Sequence, residues 1–299
     1  MKANYKETRI ERLEELTIEV RKDRAAWKSQ TFPWFRGESE CPTNYHDGRP
    51  SPLLPELYRY KDGTCYENRL LQNFRMEAPI RTPMLIPPRN NTDQWLFLAR
   101  HVGLPTRLLD WTEGLLIALY FALHTREEGA VVWMLDPYRL NLLSAKEPKD
   151  DPYNPCDRIG ILRENIRPLT WTGETNIGNL NIRGAWETDR VGTPAPVAIF
   201  PTYAHPRMSA QLSCFTIHGT KKGSLLNLVP EVDPPLLYRY VIDRTQIEFM
   251  KRDLRVLGIR QSSLIPELDG LATDLVESFL PKRLACPDRA EVPHRSPSR

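Results

Sequence analysis

The chain predicts an α+β fold: a central, mostly antiparallel sheet or sheets flanked by helices, with long proline-rich loops. Three observations carry that expectation. Short apolar runs of strand length, GAVVWMLD at 129–136 and LLYRYVID at 236–243, stand among segments with helical periodicity. Twelve of the 27 prolines gather at 42–55, 79–88 and 194–206, where they stop helices and ladders alike. The 40% hydrophobic and 26% charged residues, over a length of 299, are enough for a large core.

Taken in order, residues 6–30 read as an amphipathic helix. Ile10, Leu13, Leu16 and Val20 form its apolar stripe, which we expect to dock on the main domain rather than on a partner. That makes 1–30 an N-terminal helical unit ahead of a domain at 31–281. Thr31–Gly37 reads as a short strand ending at a glycine. A proline-rich loop over 41–65 leads to a helix at Tyr66–Ala78, with Leu70, Leu71 and Phe74 facing inward, and a second loop follows at 79–90. Thr92 caps a helix that Gly103 stops. Glu113–His124 is apolar almost all round, so it is a buried helix. Residues 145–190 lack clear periodicity and read as an insertion or a loop-rich lobe. Strands follow at 196–203, 214–218 and 236–243. Thr245 opens a helix with a capping box to Glu248, and Gly258 closes it. Ala272–Leu280 is a last helix, and 282–299 a flexible tail.

Composition excludes several classes. A net charge of +3 does not by itself predict nucleic-acid binding. The first residues lack the apolar core of a signal peptide. The longest apolar run, Leu115–Leu123, falls well short of the roughly 20 residues a membrane span needs. Five cysteines without a C-x-x-C pair fit a reducing compartment, so a cytoplasmic protein without membrane association is expected. P-loop, dinucleotide-fold, zinc-protease and nucleophile-elbow signatures are missing, and no clustered Asp/Glu/His pattern suggests a metal ion.

Four segments carry candidate chemistry. Arg36, next to Gly37, has the fork geometry that grips a phosphate or carboxylate; the alternative is a surface arginine in a salt bridge. In His101–Thr112, Arg107 and Asp110 form a charged pair in an apolar stretch. It is either a buried structural pair capping the next helix or, with the helix start, an anion site. His101 either orients a ligand or is structural. Within Arg207–Gly219, Gln211, Ser213, Thr216 and His218 punctuate a strand-like run that can line a pocket. Glu267 and Asp269 either supply a carboxylate or sit in a turn at a helix cap.

Phe35-Arg36-Gly37, His101-Val102-Gly103-Leu104-Pro105-Thr106-Arg107-Leu108-Leu109-Asp110-Trp111-Thr112 and Ala118-Leu119-Tyr120-Phe121-Ala122 resemble the FRG domain family, named for its Phe-Arg-Gly tripeptide. The likeness extends through Arg207–Gly219 and Leu257–Ala272, covering roughly residues 30–280. The order of elements in turn looks like that of ADP-ribosyltransferases, although this chain has no Ser-Thr-Ser run and no Gln-x-Glu or Glu-x-Glu near its end. That resemblance implies NAD as substrate and Arg36, Thr216 and Glu267 as catalytic residues. It implies NAD binding by Arg36, Gly37, His101, Arg107, Asp110, Trp111, Gln211 and Ser213, without a metal. A toxin or antiphage effector of this kind would modify a protein, RNA or DNA and pair with an antitoxin or chaperone. Lys251, Arg252 and Arg255 form a basic cluster that permits a nucleic-acid acceptor. The other reading is a non-catalytic nucleotide- or peptide-binding module.

Overall fold

A computed structural model of the chain describes residues 4–27, 31–40, 52–81, 86–88, 92–124, 129–144, 169–170, 195–201, 203, 205–219 and 221–280. Apart from 169–170, the expected insertion lies outside the described residues, as do the tail and most of the 42–55 loop.

In chain order the elements are β1 (Tyr5–Ile10), α1 (Leu13–Ala25), β2 (Trp34–Ser39), a 3-10 turn at Glu56–Arg59, α2 (Gly63–Arg81), α3 (Thr92–His101), β3 (Leu108–Thr112) and α4 (Leu115–Leu123). There follow β4 (Ala130–Leu135), α5 (Pro137–Ser144), β5 (Leu169–Thr170), β6 (Val197–Phe200), α6 (Pro206–Ala210), β7 (Ser213–Ile217) and α7 (Leu225–Leu228). The last are β8 (Leu237–Ile242), α8 (Ile247–Val256), α9 (Gln261–Leu264) and α10 (Leu268–Phe279). The strands form one sheet in the order β1-β8-β4-β2-β3-β7-β6-β5. Its inner ladders are antiparallel, and only the two edge pairs, β1–β8 and β5–β6, are parallel. The fold is α+β, as expected.

Side chains alternate across the sheet, so each strand feeds two cores. On one face, Phe35, Val132, Met134, Tyr238 and Tyr240 pack under α1, α4 and α8. Farther along that face, Leu108, Phe215 and Ile217 pack under Leu96 and Phe97 of α3 and Met208 of α6. The opposite face carries Trp34, Trp133, Leu109, Trp111 and Cys214 beneath α5 and α7. Helix α2 packs outside α3 through Leu71 and Ala78, with Phe74 partly buried beside them, whereas Leu70 is half-buried outside this cluster.

Several elements differ from the sequence reading. The N-terminal helix begins only at Leu13, because residues 5–10 form strand β1, paired residue by residue with β8. The helical apolar repeat starts at Leu13, and Ile10 belongs to the strand before it. Asp23 of α1 accepts hydrogen bonds from Lys6 Nζ and the Tyr240 hydroxyl, which ties helix to sheet. Residues 5–25 thus belong to the main fold, with β1 at the sheet edge and α1 packed on one face.

Helix α2 runs through Pro79, and Arg81 Nη1 donates to the Glu77 carbonyl in its last turn. Asp243, not Thr245, caps the segment before α8, accepting from the Thr245 N–H at 2.8 Å; the expected box to Glu248 does not form because a 3-10 turn intervenes. The last helix starts at Leu268. The first part of Arg207–Gly219 is helical (α6), and only its second half is a strand.

Candidate functional site

On the first face, the α4 core and the α3 core do not meet. Between them lies a cavity of about 340 Å³, in the range of ligand pockets. Its floor follows the period of two: Phe35 and Gly37 on β2, Asp110 and Thr112 on β3, Ser213 and Phe215 on β7. Ala118 and Phe121 of α4, His101 of α3 and Gln211 after α6 form its sides, and Arg36 and Trp111 complete it. Two segments distant in the chain, the Phe-Arg-Gly strand and the His101–Thr112 stretch, therefore share one cavity.

The opening has a structural cause. Strands β2 and β3 pair only at Phe35 and Thr112, then part. Arg36 has the parity of Trp34 and Glu38, so its side chain starts on the other face. Its Nε donates to Glu38 Oε1 at 2.7 Å, and its Nη1 donates to the Asp110 carbonyl at 2.8 Å. The guanidinium thus staples the parted strands, doing what a ladder would do if β2 and β3 stayed together. Gly37 is required by packing: a Cβ there would lie 2.0 Å from the Ala118 carbonyl oxygen of α4. Its lack of a side chain lets helix α4 approach the strand.

Asp110 is held by Arg100, whose Nε donates to Oδ1 at 3.2 Å and to Oδ2 at 2.9 Å. Arg36 Nη1 lies 3.7 Å from Oδ2. Burial acts to raise the carboxyl, but the charge and hydrogen bonds of Arg100, with the charge of Arg36, outweigh it and bring it below the ordinary Asp value. Asp110 stays ionised.

The expected Arg107–Asp110 pair does not form. Residues three apart in extended chain face opposite ways. Arg107 instead turns into a buried pair with Glu67 of α2, its Nε 2.9 Å from both carboxylate oxygens, and it does not line the cavity. Tyr58 and His218 flank this pair. The Tyr58 hydroxyl donates to the Gly219 carbonyl at 3.0 Å, and burial pushes its pKa up to about 12.

Thr216 is also off the cavity. It shares the parity of Cys214, and its hydroxyl accepts the Trp111 indole N–H at 3.1 Å on the opposite face. Trp111 therefore spends its polar atom on Thr216. Cys214, buried on that face with its thiol pushed well up by burial, is unsuited to nucleophilic work.

Gln211 and Ser213 lie where the sequence reading put them. Gln211 Nε2 donates to the Leu264 carbonyl at 3.1 Å. His101 lies at the cavity edge, its imidazole lowered to about 4, mostly by burial, with His205 and Arg207 adding to the effect. Glu267 is outside the cavity lining. It accepts from Arg207 Nε with both oxygens at 2.8 Å; burial raises its carboxyl, but the Arg207 hydrogen bond and charge outweigh that and lower it. It precedes α10 at the N-cap position, where its side chain makes no cap bond because Arg207 holds it.

Sequence reasoning missed Glu38, Arg100, His205 and Glu67. Signals existed for two of them. Glu38 follows Arg36 by two, on the same strand face, and Glu67 falls on the Leu71–Phe74–Ala78 stripe of α2.

The fold and site define an α+β protein with a ligand-sized hollow where two central strands part. The family model of the FRG domain matches residues 33–130, from just before β2 to the first residue of β4, and the chain carries an FRG domain there. That stretch supplies Arg36, Gly37, His101, Asp110 and Trp111; Gln211 and Ser213 come from beyond it. Searches of curated proteins and of solved structures give no match. Among the described residues, no helix is long and apolar enough to cross a membrane.

Proposed function

We propose that this chain is an NAD-dependent ADP-ribosyltransferase or NAD glycohydrolase, acting as a bacterial toxin or antiphage effector on a protein or nucleic acid, with an antitoxin or chaperone as its partner. The observation that carries the reading is the shared cavity of Arg36 and the Asp110–Thr112 strand end. Phe35, Phe121 and Phe215 offer flat apolar surface for a nicotinamide ring, and Gln211 and Ser213 offer polar partners for its amide. Asp110, kept ionised by Arg100, supplies negative charge as the ribose–nicotinamide bond breaks and the bond's electron pair leaves with nicotinamide. The ribose carbon then takes an acceptor group or water.

One observation favours a second reading, a non-catalytic binding module. Arg36 is already engaged by Glu38 and Asp110, so a pyrophosphate would have to compete for it.

Purified protein with NAD decides between the two. Release of free nicotinamide, reduced at least about tenfold by Asp110→Asn and by Gln211→Ala at a temperature where both variants remain folded, supports catalysis. Calorimetric NAD binding without consumption favours the module. Neither binding nor release overturns both NAD readings.

A further inference from the structure

Three element ends converge beside the cavity: His101 closes α3, His205 precedes α6 and Glu267 precedes α10. Each offers one ligand atom, and these three atoms all lie within 4.8 Å of one another. The two imidazole centroids are 4.2 Å apart, and His205 Nε2 is 3.8 Å from Glu267 Oε1. His101 Nε2 is buried and has no hydrogen-bond partner among the described residues. A buried ring nitrogen left unsatisfied is costly unless something fills the position.

We propose that His101, His205 and Glu267 form a binding site for a divalent transition-metal ion of the zinc class. Two imidazoles and one carboxylate are a donor set that such ions take, and hard ions such as Mg²⁺ do not favour. Metal–ligand bonds of about 2.0–2.2 Å at tetrahedral angles put donors roughly 3.3 Å apart, so separations of up to 4.8 Å have to contract by about 1.5 Å at most.

The surrounding groups fit this role. Arg207 Nε holds both oxygens of Glu267, fixing the carboxylate while leaving lone pairs for a metal, and Arg207 Nη2 lies 4.0 Å from Asp269. The positive charge nearest the site is thereby turned toward two carboxylates. His205 Nδ1 accepts the Arg207 backbone N–H at 3.2 Å, which puts its proton on Nε2. Metal capture at Nε2 moves that proton to Nδ1 and gives up this one long hydrogen bond, a small loss against a metal–imidazole bond. Three protein donors leave a fourth position for water or a ligand oxygen. The sequence could not show the site, since the three residues come from distant segments and no two of them make a spacing motif.

The test uses the full chain after chelator treatment. Calorimetric titration with Zn²⁺ is expected to give one ion per chain at micromolar or tighter affinity, and Co²⁺ to give visible ligand-field absorption. His101→Ala, His205→Ala and Glu267→Gln are each expected to weaken Zn²⁺ binding about 100-fold, at or beyond the upper end of what loss of an outer-shell partner gives. Should a variant fail to fold, the unmodified chain still decides: Zn²⁺ is expected to protect both histidines from acylation, read by mass spectrometry. Equal affinity for Mg²⁺, unchanged binding in the His101→Ala/His205→Ala double variant, or no protection overturns the site. The readout involves no NAD, so its failure and that of the enzymatic reading are separable.

Discussion

The His101–Thr112 segment feeds two arginine–carboxylate sites that differ in almost every respect. Arg107 and Glu67 are sealed, their side chains 7% and 9% exposed, between α2 and the sheet end. Asp110, three residues further on, is 42% exposed in its side chain and shared by Arg100 and Arg36 at the cavity. Strand alternation sends one charge into the packing and the other to the hollow. The sealed pair is placed for stability, and the proposed function assigns ligand contact to the open one. The same residue types, so close in sequence, carry different meanings because one is desolvated and the other is not.

The strongest way to break that comparison is at the sealed pair. Glu67→Gln leaves the Arg107 charge buried without a counterion, and is expected to lower unfolding free energy by about 3–5 kcal/mol. Urea unfolding measures it; a loss below about 1 kcal/mol would place the pair in water after all. On the open side the largest effect comes from packing. Gly37→Ala drives a Cβ against the Ala118 carbonyl, where backbone has to yield, and about 3 kcal/mol of destabilisation is expected. An unchanged melting curve would mean that α4 does not sit on β2 as described.

This contrast also explains what was legible in the sequence. The helices and strands with strong periodicity, α3, α4, β4 and β8, fall within a residue or two of expectation, because their apolar pattern is set by burial alone. The cavity wall was largely readable for the same reason: Arg36, Gly37, His101, Asp110, Trp111, Gln211 and Ser213 all reach it. Pairing was not readable. The sequence pairs Arg107 with Asp110 as a cap for the next helix, but residues three apart in extended chain face opposite ways. Thr216 fell on the wrong side by the same parity. Strand β1 was hidden because its partner, β8, lies more than two hundred residues away, and a partly exposed edge strand of charged residues has little apolar signature.

The sealed region has the deeper pH signature, since His218 is lowered to about 3 and His101 at the cavity to about 4. His218, next to Arg107, is fully buried, and its pKa falls to about 3, chiefly through burial, with Arg107 contributing. Its unfolded value is about 6.5. Between those values the unfolded chain binds a proton that the folded chain does not, so stability declines as pH falls below about 6.5 and the decline ends only near the folded value. From pH 6.5 to pH 5 that is about 2 kcal/mol for this one group. Denaturant unfolding across the range checks it, and His218→Gln is expected to flatten the slope by one proton. An identical slope in that variant would assign the titration elsewhere.

The smallest stability effect is expected at Asp110, and that is what sharpens the division. Asp110→Asn removes the charge facing Arg100 and Arg36 but keeps an amide that can still accept a hydrogen bond. Water reaches the site, so neither guanidinium is stranded in a dry interior, and the cost is expected at about 1 kcal/mol. If the open site exists for ligand contact, this mild variant nonetheless loses most NAD binding or turnover. The sealed-pair variant Glu67→Gln, assayed at a temperature where it remains folded, keeps it. Parallel melting curves and NAD assays on the two proteins read both quantities. A large loss of stability at Asp110 with activity intact would reverse the assignment and make the open pair the structural one.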